Sequence, residues 1–182
     1  MTLSPEFHDR LLRGEQLERE TRRLSALEQL NQHPRLVLLG DGPERTAIVN
    51  EIEKLALQTD VVLAGVQPYH RLPAYYGLAS AFIHPPLQDQ WGLVVNEAMA
   101  SGLPVLVSAQ AGCAADLVEE GVEGFTFDPQ DVSGLGYVMS RMSSGQVDLQ
   151  KMGWAARRKI SNWGVERFAR NLYHALCVGV GR

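Results

Sequence analysis

The 182-residue sequence lacks several features that would place a protein in a specialised class. It has only two cysteines, Cys113 and Cys177, and two isolated cysteines do not form a disulfide framework. No apolar run approaches the roughly 18–20 residues that span a bilayer. Residues 1–7 have neither the cationic nor the apolar region of a secretory signal. We therefore expect a cytoplasmic protein, for which peripheral association with a membrane stays open.

The sequence also lacks an excess of basic charge. It has 17 Lys and Arg against 21 Asp and Glu, which gives a net charge of −4. Proteins that bind a nucleic-acid backbone usually need a basic surface, so we expect no nucleic-acid partner. The 45% hydrophobic and 21% charged residues are typical of a globular chain, and the length suits one domain.

Familiar catalytic motifs are missing as well. The five histidines show no H-E-x-x-H spacing and the cysteines no C-x-x-C, so we expect no metal site. There is no G-x-S-x-G turn and no G-x-x-x-x-G-K-[ST] phosphate loop. The turn Gly40-Asp41-Gly42 could begin a dinucleotide fingerprint, but Arg45 stands where the third glycine belongs. A Rossmann-type oxidoreductase is therefore our weakest hypothesis.

From residue 35 onward, short apolar runs alternate with helical segments. The runs that predict strands are 36–39, 61–65, 81–84, 105–107 and 125–127. The segments that predict helices are 43–55, 72–79, 92–101 and 114–119, with two or three more from 131 to 176, broken near 145 and 163–164. This alternation predicts a parallel sheet with helices on both faces, where ligands bind beyond the carboxyl ends of the strands.

Two other parts of the chain carry simpler predictions. Residues 8–31 are rich in charge, and leucines at 24, 27 and 30 predict one narrow apolar stripe on a helix. That helix could lie on the surface or bind a partner. Near the C-terminus, Trp154, Trp163, Phe168 and Leu172 are expected to be core residues of the last helices.

The segment most informative about chemistry is a proline-rich loop that enters a helix at Gly92. The N–H groups of Gly92, Leu93 and Val94 would be free to bind an anion, which the helix dipole also favours. Glu97 lies four residues after Leu93 on the same helix face, where it could accept hydrogen bonds from the two hydroxyls of a ribose. Asp89, eight positions earlier, would face whatever is attached to the phosphates.

A simpler interpretation is that Asp89 caps the helix and Glu97 is solvated. Apolar residues flank Glu97 at 93–95 and 98–100, which predicts that most of this helix is buried. A lone carboxylate in a buried helix is costly unless it has partners. The functional interpretation is therefore at least as strong as the simpler one.

These residues resemble a known pattern. Asp89 and Glu97, followed by A-M-A-S-G-L-P-V, resemble the donor-site motif of retaining, nucleotide-sugar-dependent glycosyltransferases with the GT-B fold, the glycosyltransferase group 1 family. The family usually has Glu at both acidic positions, so Asp89 keeps the carboxylate with a shorter reach. Four further segments are similar to family segments in the same order: 38–44, 63–67, 72–76 and 121–125. The resemblance covers about residues 24–177.

The resemblance implies a role for each site residue. Gln67 would contact the nucleotide base through its backbone. The Gly92, Leu93 and Val94 backbone would hold diphosphate and ribose, Glu97 would bind the ribose hydroxyls, and Asp89 would act as the catalytic residue at the donor sugar. The family needs no metal or other cofactor, since basic side chains and the helix N-terminus neutralise the leaving diphosphate.

The resemblance also implies a fold and its limits. The chain matches the C-terminal, donor-binding domain of a two-domain enzyme, a Rossmann-like doubly wound parallel sheet with helices on both faces. We assign this domain to residues 24–182 and treat 1–23 as a charged, poorly matched segment. The family's first strand, with its Gly-Arg and Lys, has no counterpart here. In a doubly wound sheet this strand is central.

The expected partners follow from what is missing. They are a nucleotide-sugar donor, an unknown acceptor, and either a missing N-terminal domain or an oligomer partner. Without an acceptor domain, the chain alone is expected not to transfer sugar. The resemblance also implies that the last helices pack toward that domain, so some of their apolar surface could be exposed here. The competing hypothesis is a non-catalytic remnant or interaction module that binds nucleotide weakly or not at all.

Overall fold

The structure, a computed structural model, describes residues 35–179. The predicted helix over 8–31 and the segment 1–23 lie outside the described residues. The strands are β1 (Leu36–Leu39), β2 (Val61–Gly65), β3 (Phe82–His84), β4 (Val105–Ser108) and β5 (Gly124–Phe127). The helices are α1 (Arg45–Lys54), α2 (Leu72–Leu78), α3 (Leu93–Ala100), α4 (Ala114–Leu117), α5 (Val132–Ser143), α6 (Leu149–Ile160) and α7 (Val165–Gly179). A single 3₁₀ turn, Tyr69–Arg71, precedes α2.

The predicted elements are present in their predicted order, with ends that differ by one or two residues. Three helices follow β5, and the breaks between them contain Gly145 and Trp163-Gly164 as expected. Gly145 adopts a φ of 73°, a left-handed conformation that stops α5 and that L side chains rarely accept.

The strands form two parallel sheets rather than one. The first sheet pairs β1 with β2, and the second has the order β3-β4-β5. The strand pairings among the described residues are β1 with β2, β3 with β4 and β4 with β5. In the doubly wound order 3-2-1-4-5-6, the first strand lies between the strands that correspond here to β1 and β3. The split therefore falls where the predicted missing strand would stand.

Both faces of the second sheet are covered. Leu106 of β4 packs in one core cluster with Phe125, while its neighbours Val105 and Val107 pack in a second cluster with Met99 of α3. This alternation is expected of a strand buried on both sides. The α/β fold with helices on both faces is confirmed.

The two sheets share a core despite the split. Leu38 of β1 and Val61 of β2 belong to the same buried cluster as Leu106 and Phe125 of the second sheet. Helix α5 contributes Leu135 to this cluster. Side-chain packing therefore joins the two sheets in the part of the chain that the structure describes.

The prediction of buried C-terminal aromatic residues is largely wrong. Only Trp163 packs inward, with its ring 5.4 Å from that of Trp91. Trp154, Phe168 and Leu172 are exposed, because no other described element lies over these faces of α6 and α7. A search of the described helices for one long and apolar enough to cross a bilayer finds none.

Candidate functional site

The loop between β3 and α3 lies at the carboxyl edge of the second sheet and is tied on two sides. The Gly112 N–H donates to the Asp89 carbonyl oxygen at 2.9 Å, which joins the loop to the segment after β4. The Trp91 indole N–H donates to Asn96 Oδ1 at 3.0 Å, and its ring lies against Trp163. This loop is therefore held in place before any ligand arrives.

The Asp89 carboxylate is oriented by contacts from within this loop and from β3. Its Oδ2 lies 2.8 Å from His84 Nε2, and its Oδ1 accepts a hydrogen bond from the Trp91 N–H at 3.2 Å. Because an ionised carboxylate only accepts hydrogen bonds, the His84 Nε2 carries the proton in this pair. Helix α3 begins after Gly92 with no side-chain cap. The interpretation of Asp89 as a helix cap is therefore wrong.

The backbone conformation and the surroundings of Gly92 both favour glycine at this position. Its φ of 94° is left-handed. A Cβ at this position would lie 3.1 Å from His84 Nε2 and 3.4 Å from Cys113 Sγ. The backbone can therefore approach a ligand closely where α3 begins.

The first N–H groups of α3 are available as donors. Among the hydrogen bonds of the described residues, none uses the N–H of Gly92, Leu93 or Val94. Leu93 is 69% exposed and Val94 38%. The prediction that most of this helix is buried is wrong at its N-terminal turn, because that turn projects beyond the sheet edge. Exposed donors at a helix N-terminus form an anion-binding arrangement.

Glu97 has a partner that the sequence did not reveal. The Tyr76 hydroxyl of α2 donates to Glu97 Oε2 at 3.0 Å, and the Tyr76 ring meets Phe82 edge-on at 5.9 Å. Burial, together with the hydrogen bond and the negative charge of Glu97, raises the pKa of Tyr76. Tyr76 therefore stays a hydrogen-bond donor at neutral pH. Glu97 is half-buried, and none of the hydrogen bonds found among the described residues uses its other oxygen, Oε1.

Gln67 belongs to the first sheet, two residues after β2. Its side-chain amide donates to the Ala64 carbonyl oxygen at 2.6 Å. This bond ties the Gln67 side chain to the end of β2. The site residues therefore follow strands of both sheets, at the carboxyl edge where parallel α/β sheets bind ligands.

Two further residues, His84 and Cys113, lie beside the site. His84 contacts Asp89 directly. This contact and the one between Tyr76 and Glu97 join separate segments of the chain, so they could be found only in the folded structure. Cys113 is buried, and burial raises the pKa of its thiol to about 11, which suits a structural role. Among the described residues, no group of three or more His, Cys, Asp or Glu is placed to hold a metal ion.

The fold defines a Rossmann-like domain. At the carboxyl edge of its second sheet, helix α3 begins between Asp89 and Glu97 in the chain. The family model of glycosyl transferases group 1 matches residues 13–159. The chain therefore belongs to the group 1 glycosyltransferase family, of which it represents the C-terminal domain.

Individual relatives agree with this assignment. Sulfoquinovosyl transferase SQD2 of Arabidopsis thaliana is 33% identical over 132 residues, which are 71% of this chain and 25% of that protein. The structure of the lipopolysaccharide outer core galactosyltransferase WaaB matches with a TM-score of 0.80 and 18% identity, over 88% of this chain and 45% of that one. Anabaena Alr3699/HepE in complex with UDP matches with a TM-score of 0.75 and 23% identity, over 86% and 44%. The chain thus spans less than half the length of these proteins.

Proposed function

We propose that this chain is the donor-binding half of a retaining glycosyltransferase that uses a nucleotide-diphospho-sugar. In this proposal the N–H groups of Gly92, Leu93 and Val94 bind the diphosphate and ribose, and Glu97 binds the ribose hydroxyls. Asp89 lies at the donor sugar, and the Gln67 backbone contacts the base. The acceptor is not identified.

One observation carries this proposal above the others: the N–H groups of residues 92–94 make no hydrogen bond among the described residues, and the carboxylates that precede and follow them in the chain are already oriented. The N–H groups attract the anionic diphosphate, and its negative charge grows as the bond to the sugar breaks. Glu97 is held by Tyr76, so it need not be ordered when a ribose arrives. The UDP complex of the similar Anabaena protein supports a nucleotide as the ligand.

The reaction proposed is transfer with retention of configuration. The bond between the anomeric carbon and the phosphate oxygen breaks, and a bond to an acceptor oxygen forms on the same face. The acceptor's proton passes to the leaving phosphate. The chain's own contribution is to hold the diphosphate at α3 and to keep the Asp89 carboxylate against His84 at the sugar. Because the N-terminal dipole of α3 offsets part of the diphosphate charge, no metal is required in this scheme.

The proposal also covers the rest of the protein. We assign the donor domain to residues 24–182 and expect an acceptor-binding part from an N-terminal domain or an oligomer partner, since the chain spans under half of its structural neighbours. We further propose a cytoplasmic location with peripheral association with a membrane. The isolated chain would bind donor without transferring sugar.

A thermal melt of the purified chain with millimolar UDP, GDP or ADP tests the donor site. A ligand that binds the folded state raises the melting temperature, so the most effective nucleotide also identifies the base. Glu97→Ala should weaken the binding of that nucleotide by about 10- to 100-fold, since it removes a hydrogen bond to a charged group. Glu53→Ala, which removes an exposed carboxylate of α1, is the matched control.

The split between the sheets favours one alternative, a remnant that packs with a partner but no longer binds nucleotide. A cooperative melt that no nucleotide shifts would support this alternative. It would also contradict the proposed donor site. Equal effects of the two substitutions would likewise exclude a ribose contact at Glu97.

A further inference from the structure

A second concave surface lies at the edge of the second sheet opposite to the donor site. It is a cavity of about 550 Å³ bounded by the turn before β5, the end of α5 and one side of α6. We call it the basic cavity and define it by Arg141, Lys151, Trp154 and Arg158. Because all strands of the sheet run parallel, the turn before β5 marks the amino edge, whereas the donor site is at the carboxyl edge.

The charge of the basic cavity is unbalanced. Its lining has three cations and one carboxylate, Asp148, whose Oδ1 accepts the Lys151 backbone N–H at 2.9 Å as the cap of α6. In the described part of the chain, none of the ion pairs involves Arg141, Lys151 or Arg158. The Arg141 guanidinium lies 4.2 Å from the centre of the Phe125 ring, which fixes its direction. A cavity with these properties favours an anionic ligand.

Exposed aromatic rings lie beside these cations. Trp154 is 74% exposed and Tyr137 of α5 is 63% exposed, and the Arg141 guanidinium lies 5.9 Å from the centre of the Tyr137 ring. Helix α6 buries Gly153 and Ala156 against the rest of the domain. A helix with basic and aromatic residues facing outward is typical of protein surfaces that lie at a membrane interface.

We propose that the basic cavity binds the phosphate headgroup of an anionic phospholipid and holds the chain on a membrane surface. The three cations contact the phosphate, while Trp154 and Tyr137 enter the headgroup layer beside it. This arrangement leaves the donor site, at the other edge of the sheet, open to nucleotide. The inference rests on the peripheral membrane association in the proposed function, but its test does not depend on nucleotide binding.

The test is sedimentation of the full 182-residue chain with vesicles of phosphatidylcholine alone or mixed equally with phosphatidylglycerol. Binding is expected only to the mixed vesicles, and it should weaken with added salt. Each cation near an anionic surface strengthens binding by about fivefold, so Lys151→Ala with Arg158→Ala should weaken it by about 25-fold. Lys54→Ala with Arg71→Ala removes the same charge from exposed positions elsewhere and should leave binding nearly unchanged.

Trp154 provides a second readout. Its fluorescence should shift to the blue with mixed vesicles, and Trp154→Phe should abolish that shift while the variant keeps the wild-type melting temperature. No binding to mixed vesicles, or equal losses in the two double variants, would overturn the proposal. Release by millimolar glycerol phosphate would instead indicate a soluble phosphate ligand. Binding of an acidic peptide in preference to vesicles would indicate a protein partner, and either result contradicts the lipid assignment.

Discussion

The two sheets of this domain differ in how completely they are packed. Every residue of β4, at the centre of the second sheet, is buried, whereas Val37 and Leu39 of β1 and Val62 of β2 are each more than 40% exposed. The second sheet has helices over both faces, and the first shares only one core cluster with it. Among the described residues, the domain is therefore closely packed on one side of the split and more exposed on the other.

This difference divides the proposed donor site. Asp89, the N–H groups at Gly92 and Glu97 follow β3 of the packed sheet and have contacts that hold them in place. Gln67 follows β2 of the exposed sheet. The groups proposed to bind diphosphate and ribose thus belong to the closely packed sheet. The proposed base contact belongs to the other sheet, which is joined to the closely packed one by side-chain packing across the split. Diphosphate binding should tolerate changes in the first sheet that alter the choice of base.

The largest loss of stability is expected from adding a methyl group at Gly124 in the second sheet. A Cβ at Gly124 would overlap the Val105 carbonyl oxygen of the neighbouring strand. Gly124→Ala should therefore cost at least about 3 kcal/mol of unfolding free energy, measured in urea, since overpacked backbone must move. Gly77→Ala in α2 has no atom within 4 Å of its Cβ and should be neutral or slightly stabilising. Similar values for the two variants would contradict the packed state of the second sheet.

The difference in packing between the two sheets can also be measured with one substitution in each sheet. Val107→Ala removes two methyl groups from a side chain with 0% exposure in β4 and should cost about 2 kcal/mol. Val62→Ala in β2 starts from 43% exposure and should cost about 0.5 kcal/mol. Urea unfolding measures both free energies. A loss at Val62 as large as that at Val107 would show that an additional element covers the first sheet.

The sequence predicts the strands and helices well because each apolar run and each turn is a local signal. The lack of an apolar run for the family's first strand is visible in the sequence, but the division into two sheets is visible only in the structure. The exposure of Trp154 in particular could not be predicted, because it depends on which elements cover α6. The contacts of Tyr76 with Glu97 and of His84 with Asp89 join separate segments, so only the folded chain reveals them. Motif spacing predicts the candidate site, and tertiary contacts show how its residues are held.

Tyr76→Phe tests the single hydrogen bond that orients Glu97 in the proposed donor site. The variant keeps the ring against Phe82 but loses the bond to Glu97. Nucleoside diphosphate binding should weaken by about tenfold, because the carboxylate must then be ordered by the ligand. Calorimetric titration measures this change, and Tyr75→Phe in the same helix is the control. An unchanged affinity would show that Glu97 needs no support from α2.

A smaller effect concerns the two thiols. Burial raises the pKa of Cys113 from 9.0 to about 11, so the folded chain keeps this proton while the unfolded chain loses it. Stability should therefore fall as pH rises from about 9 to about 11. At pH 8, alkylation followed by mass spectrometry should modify Cys177 of α7 first and Cys113 only as fast as the chain unfolds. Equal rates would contradict the close packing around Gly92.

Hydrogen exchange tests most directly the claim that one nucleotide bridges both sheets. In the free chain, the amides of Gly92, Leu93 and Val94 should exchange fast, since they make no hydrogen bond among the described residues. Saturation with the nucleoside diphosphate that most raises the melting temperature should slow these amides and those of the loop at Gln67. Protection confined to one sheet, or absent from both, would contradict a donor site that spans the split.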